Sequence, residues 1–134
     1  MEQPALKIFA DGGARGNPGP AAAGYVITAG EQILETGGQY LGETTNNQAE
    51  YQAVKLALEA ATKFQPSVIE FNLDSELVVR QLNGLYKVKN QQLKPVHEAI
   101  KELIKLYPKV TFSHIRREYN QLADAEVNRI LDAQ

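Results

Sequence analysis

Hydrophobic and polar positions change their period several times along the 134 residues, and the changes predict nine elements. Leu6-Lys7-Ile8-Phe9-Ala10-Asp11 is a short apolar run ending in one carboxylate. A loop of glycine, asparagine and proline follows it, so the run predicts a buried strand that surfaces at Asp11. Ala22 to Thr28 and Gln32 to Leu41 predict two more strands, with Ala29-Gly30 between them as a tight hairpin signal. From Asn46 to about Lys63 the spacing turns helical, with Ala49, Ala53, Leu56, Ala57, Ala60 and Ala61 on one stripe. Thr45 or Asn46 suits its N-cap. Gln65-Pro66-Ser67 breaks that helix. Val68 to Asp74 then alternates as a fourth strand, Ile69, Phe71 and Leu73 on one face and Glu70, Asn72 and Asp74 on the other.

A helix from Ser75 to about Leu82 is stopped by Asn83-Gly84, and Leu85 to Asn90 follows no clear period. Pro95 suits the first turn of a helix that reaches about Leu106, before Pro108. Val110 to Ile115 predicts a fifth strand and Leu122 to Leu131 a last helix. The order β-β-β-α-β-α-α-β-α implies an α/β fold in which an antiparallel meander leads into strand–helix crossovers. Such a chain makes a five-stranded mixed sheet, parallel in its later strands, with helices on both faces. At this length, with 43% hydrophobic residues and no internal repeat, a single domain over residues 1–134 is expected.

Composition narrows the setting. With no cysteine, neither a disulfide frame nor a thiolate metal site can form. Met1-Glu2-Gln3-Pro4 is polar and gives no secretion signal, and no stretch nears the roughly 18 apolar residues of a membrane span. A cytoplasmic protein with no membrane contact is the expectation. The net charge of −2 is unevenly spread. Residues 1–74 carry four basic residues against nine acids, and residues 75–134 carry ten against seven. Arg80 to Arg117 holds nine cations and only Glu98 and Glu102 as anions. That polarity suits an acidic site beside a surface that meets phosphates.

Four acids stand at element boundaries or on apolar stripes. Asp11 and Asp74 end the first and fourth strands, which become neighbours if those strands pair in parallel at the sheet centre. Glu50 is followed at three, four and seven residues by Ala53, Val54 and Ala57, so it projects toward the sheet, where glutamates are seldom found. Asp124 repeats the pattern with Val127 and Leu131, though a first-turn acid facing the helix dipole would look the same. Clustered carboxylates raise a pKa or recruit a cation, and an all-oxygen set favours Mg²⁺ first and Mn²⁺ second. Two such ions clamp the attacking and departing oxygens of a phosphodiester.

The string Asp11-Gly12-Gly13-x-x-Gly16-Asn17-Pro18-Gly19 is the first of four motifs. Thr44-Thr45-Asn46-Asn47-Gln48-Ala49-Glu50, Leu73-Asp74-Ser75-x-Leu77-Val78-Val79 and Arg117-Glu118-x-Asn120-x-x-Ala123-Asp124 complete the set. Together they resemble type 1 ribonuclease H, in the family's order and over nearly the whole chain. The resemblance implies the ribonuclease H-like fold and Mg²⁺-dependent cleavage of the RNA strand of an RNA–DNA hybrid, leaving 5′-phosphate and 3′-hydroxyl ends. Asp11, Glu50, Asp74 and Asp124 match the metal-binding carboxylates, holding two ions with substrate bound. Gly12, Asn17, Thr45, Asn46, Asn47, Gln48 and Ser75 fall in segments that meet the hybrid, and no protein partner is implied for what is expected to be a monomer.

The chain departs from the family's pattern in two places. Many bacterial members carry a basic protrusion between the middle helices, where this chain has only Leu85 to Asn90, with Lys87 and Lys89 to replace part of it. Many also carry a mobile histidine loop before the last aspartate. An ungapped count makes His114 that histidine, whereas strand periodicity puts it inside the fifth strand and leaves Arg117 to assist product departure. His97 reads as a helix-surface histidine. The competing readings are a non-catalytic hybrid-binding module and a nuclease of this fold with another nucleic-acid substrate.

Overall fold

The computed structural model describes residues 3–134; Met1 and Glu2, part of the polar start that argued against a secretion signal, lie outside them. Strands β1 (Ala5–Ala14), β2 (Gly19–Ala29) and β3 (Gln32–Thr44) form the antiparallel meander, each longer than its apolar run. β1 does not end at Asp11. It continues through Gly12, Gly13 and Ala14 against Ala23, Ala22 and Ala21 of β2, where small residues on both strands leave no side-chain alternation to announce the ladder. The hairpin turn is Gly30-Glu31 rather than Ala29-Gly30, because Ala29 still pairs with Gln32; Gly30 takes the left-handed conformation at φ +59°.

Helix α1 (Asn46–Ala61) is capped by Thr45, whose side chain accepts from the Gln48 N–H at 3.2 Å, and it tightens into a 3₁₀ turn over Thr62–Phe64. β4 (Val68–Leu73) leads to α2 (Glu76–Leu82), with Ser75 as its cap rather than its first residue. After the irregular stretch come α3 (Lys94–Ile104), β5 (Val110–His114), a 3₁₀ turn over Arg117–Tyr119, and α4 (Gln121–Asp132).

The sheet order is β3-β2-β1-β4-β5, with β4 parallel to both β1 and β5. One face carries Leu6, Ile8, Ile69 and Phe71 into a core completed by Tyr51, Val54 and Leu58 of α1 and Ile100 of α3, all fully buried. Phe112 of β5 stacks on Phe71 with ring centroids 5.2 Å apart. α4 covers the other face, where Gly24 admits it: a Cβ there would stand 3.0 Å from the Ala123 carbonyl oxygen. His97, expected at the helix surface, is partly covered there. It is half-buried, edge-on to the Tyr51 ring at 6.1 Å, because α3 lies against α1.

Candidate active site

The register of β1 and β4 pairs Phe9 with Asn72, and two residues further along the same face stand Asp11 and Asp74. Asp74 is the first residue past β4, while Asp11 has outrun that pairing and is held only by β2, opposite Gly24. Glu50 arrives from the α1 side because Gly12 lets the helix backbone touch the strand. A Cβ at Gly12 would lie 2.2 Å from the Ala49 carbonyl carbon and 2.4 Å from the Glu50 nitrogen. Asp124 arrives from the opposite face on the first turn of α4. The four carboxylates line one cleft of about 580 Å³.

Their environments are strongly perturbed. Burial, then the charges of Asp74 and Asp124, a hydrogen bond shared with Asp124 and the charge of Glu50 push the Asp11 carboxyl from 3.8 up to about 8. Burial lifts Glu50 from 4.5 to about 7 against a hydrogen bond from Ser75, with the Asp74 charge adding to the rise. Asp74 Oδ2 accepts from Asn120 Nδ2 at 3.2 Å, and Asp124 Oδ2 accepts from Asn128 Nδ2 at 3.3 Å. The donors facing the cleft are carboxylate oxygens, the set a hard divalent cation takes, and a cation there would offset the repulsion that adds to burial in raising the Asp11 carboxyl. Among the described residues no three of these acids form a ready-made cage. Mg²⁺ requires none, since it retains waters and completes its shell with substrate phosphate oxygens.

The other predicted residues divide. Ser75 lines the cleft and caps α2, accepting from the Val78 N–H at 3.3 Å. Asn46 lines it too; its Oδ1 accepts from the Ala14 N–H at 2.8 Å and its own N–H donates to Asn17 Oδ1 at 3.0 Å. These two asparagines tie the β1–β2 loop to the first turn of α1. Gly12 is in the cleft wall, whereas Asn17, Thr45, Asn47 and Gln48 are not. Gln48 faces a groove between α1 and α3, donating through Nε2 to the Gln92 carbonyl at 3.1 Å. Arg117 is in the cleft wall, and His114 ends β5 opposite Leu73, exposed and beside Glu76. The histidine is therefore a strand residue, as periodicity indicated.

Asn120 was not among the predicted site residues. It is only 1% exposed, and its Nδ2 bridges the Ala10 carbonyl at 3.0 Å and Asp74 Oδ2 at 3.2 Å. An asparagine at the start of a helix reads as an N-cap, but this side chain makes no capping bond and turns inward instead.

A mixed sheet in this order, with carboxylates at the ends of its two central parallel strands and on the helices packed against each face, defines the ribonuclease H-like class. Residues 9–130 match the family described as Reverse transcriptase-like, and the chain is 42% identical over 128 residues to Ribonuclease HI of Halobacterium salinarum. The chain belongs to the type 1 ribonuclease H family. The crystal structure of the Halobacterium RNase H1 superposes with a TM-score of 0.92 at 40% identity, covering 97% of this chain and 99% of that one. The N-terminal RNase H domain of Rv2228c from Mycobacterium tuberculosis gives 0.93 at 34% identity, covering 97% and 95%. LC11-RNase H1, isolated from compost and solved in complex with an RNA/DNA hybrid, gives 0.92 at 44% identity, covering 96% and 97%. The chain spans 64% of the length of the full Halobacterium protein and 35% of the full mycobacterial one, a bifunctional protein. No helix among the described residues is long and apolar enough to cross a membrane.

Proposed function

We propose that residues 1–134 act as one ribonuclease H domain that hydrolyses the RNA strand of an RNA–DNA hybrid, leaving 5′-phosphate and 3′-hydroxyl ends. The meeting of four carboxylates from four elements in one cleft carries this reading. The likeness to a relative solved with an RNA/DNA hybrid supports it. Asp11 and Asp74 would hold two Mg²⁺ ions, or Mn²⁺ in their place, with Glu50 on one and Asp124 on the other. When bound, the ions supply an activated water and offset charge on the departing oxygen. The chain's own residues set the stage. Asn120 fixes Asp74 from behind, Ser75 orients Glu50, and Gly12 keeps Glu50 beside Asp11. Asn17, Thr45, Asn46, Asn47 and Gln48 offer amides and a hydroxyl suited to 2′-hydroxyls and base edges in a wide minor groove. Arg117, in the cleft wall, is placed to assist product departure. Clustered negative charge repels a duplex, so a module that only bound hybrids would gain nothing from these acids.

Labelled RNA–DNA, RNA–RNA and DNA–DNA duplexes, each with Mg²⁺ or with EDTA, test the assignment on one gel. Cutting is expected in the RNA strand of the hybrid, and only with Mg²⁺. Asp74→Asn should slow it by on the order of 10³-fold while hybrid binding persists. Near-wild-type cutting by that variant would overturn the mechanism.

A further inference from the structure

Two cations line the acidic cleft, and only one of them has a role above. Arg117 precedes the N-terminus of α4, whereas Arg15 reaches its C-terminus, where Nη2 lies 2.6 Å from Asp132 Oδ1. The twelve residues of α4 separate the two by on the order of 18 Å. The backbone of Arg15 is firmly held. Its N–H donates to the Pro20 carbonyl at 2.8 Å, and the preceding Ala14 N–H is taken by Asn46. Gly19 sits so close that a Cβ would stand 2.1 Å from the Arg15 carbonyl oxygen. A rigid loop thus delivers a guanidinium to a cleft with four carboxylates, yet the guanidinium pairs with a fifth acid, outside that quartet.

We propose that Arg15 binds a backbone phosphate of the hybrid, and that Asp132 holds it in readiness, away from the metal-binding acids, until the phosphate takes its place. The inference rests on the ribonuclease H reading. A planar guanidinium matches a phosphate through two parallel hydrogen bonds, which a single carboxylate contact at one Nη does not exhaust. Both partners are about half or more exposed, at 49% and 67%, and exposed pairs contribute little to stability, so the exchange is an easy one. Asp132 also stands in the last turn of α4, where the helix dipole disfavours an acid; Arg15 offsets that in the free protein. A phosphate drawn to this end of α4 would extend the bound strand along the helix from the acids toward the β1–β2 loop.

The test is hybrid binding by fluorescence anisotropy in EDTA over a range of salt concentrations, with kcat and KM in Mg²⁺, for the wild type, Arg15→Ala, Arg15→Lys and Asp132→Asn. Arg15→Ala should weaken binding about fivefold to tenfold and reduce the slope of log Kd against log salt by about 1, with kcat within about twofold. Arg15→Lys should keep the slope at intermediate affinity, and Asp132→Asn should bind as tightly as wild type or about twofold tighter. An unchanged slope in Arg15→Ala, with Arg15→Ala and Asp132→Asn losing equal thermal stability, would make the pair a staple and overturn the proposal. A wild-type chain that binds no hybrid would instead sink the ribonuclease H reading, and this proposal with it.

Discussion

Asn120 has no charge and no metal-binding oxygen in the cleft, yet it connects the two most important strands at the point where their pairing stops. Its amide joins the Ala10 carbonyl, one residue before Asp11, to the carboxylate of Asp74. Both bonds are buried or nearly so, and a buried acceptor stripped of its donor costs about 1–3 kcal/mol. Asn120→Leu keeps the branching and the heavy-atom count and removes both donors. We expect it to lower urea-unfolding stability by about 2 kcal/mol and to reduce kcat more than tenfold. KM should change little, since the side chain is buried behind Asp74 and out of reach of a ligand in the cleft. An unaltered kcat in a variant that is merely less stable would reduce Asn120 to a structural residue.

At the scale of elements, the cleft depends on helices approaching strands more closely than side chains allow. Gly12 is the clearest instance, because its absent Cβ is the space through which α1 reaches β1. Gly12→Ala must push the Ala49–Glu50 peptide outward, drawing Glu50 away from Asp11. Overpacking against backbone typically costs about 1–3 kcal/mol, so a fall in stability of that order is expected, together with loss of most cleavage. Gly30→Ala is its control, since the turn at Gly30 has open space around it and only the left-handed φ to oppose a side chain. It should destabilise the fold by roughly 1 kcal/mol and leave cleavage intact. Equal loss of cleavage in the two variants would show that close approach at Gly12 has no special part in the site.

At the scale of the whole molecule, the site is bought at the expense of stability. Asp11 and Glu50 keep their protons to about 8 and about 7 in the fold, against 3.8 and 4.5 in the unfolded chain. Between about pH 4 and pH 8 the folded state therefore binds more protons than the unfolded state, and stability falls as pH rises through that window. Glu35, whose pKa is lowered by the hydrogen bond it accepts from Lys63, loses its contribution as pH falls from about 4.5, below the range from pH 5 to pH 8. In EDTA, melting temperatures at pH 5, 6.5 and 8 should decline for the wild type by roughly 5 °C or more. They should decline less for Asp11→Asn, which should be the more stable protein at pH 8. Mg²⁺ should narrow that difference by binding the wild-type fold preferentially. Parallel declines in the two proteins without metal would remove Asp11 as the source of the strain.

Much of this was readable from residue order. Alternation from Val68 to Leu73 and helical spacing from Asn46 onward placed β4 and α1 close to their observed bounds, because each buries one periodic face. The four acids were also legible: Glu50 lies on a stripe whose other members, Ala53, Val54 and Ala57, are fully buried, and Asp74 closes a strand with its acid on the outer face. Where periodicity failed, side chains were too small to carry it, as in the pairing of Gly12, Gly13 and Ala14 with β2. The inward turn of Asn120, the edge-on packing of His97 and the pairing of Arg15 with Asp132 across 117 residues have no local signature at all. By itself the sequence determined which elements form and which carboxylates they carry, since backbone propensity and the hydrophobic period act over a few neighbouring residues. Only the tertiary structure decided which of those acids share a field, which neutral side chains hold them and which cations stand ready beside them. Those outcomes depend on distances between atoms that the chain keeps far apart until it folds.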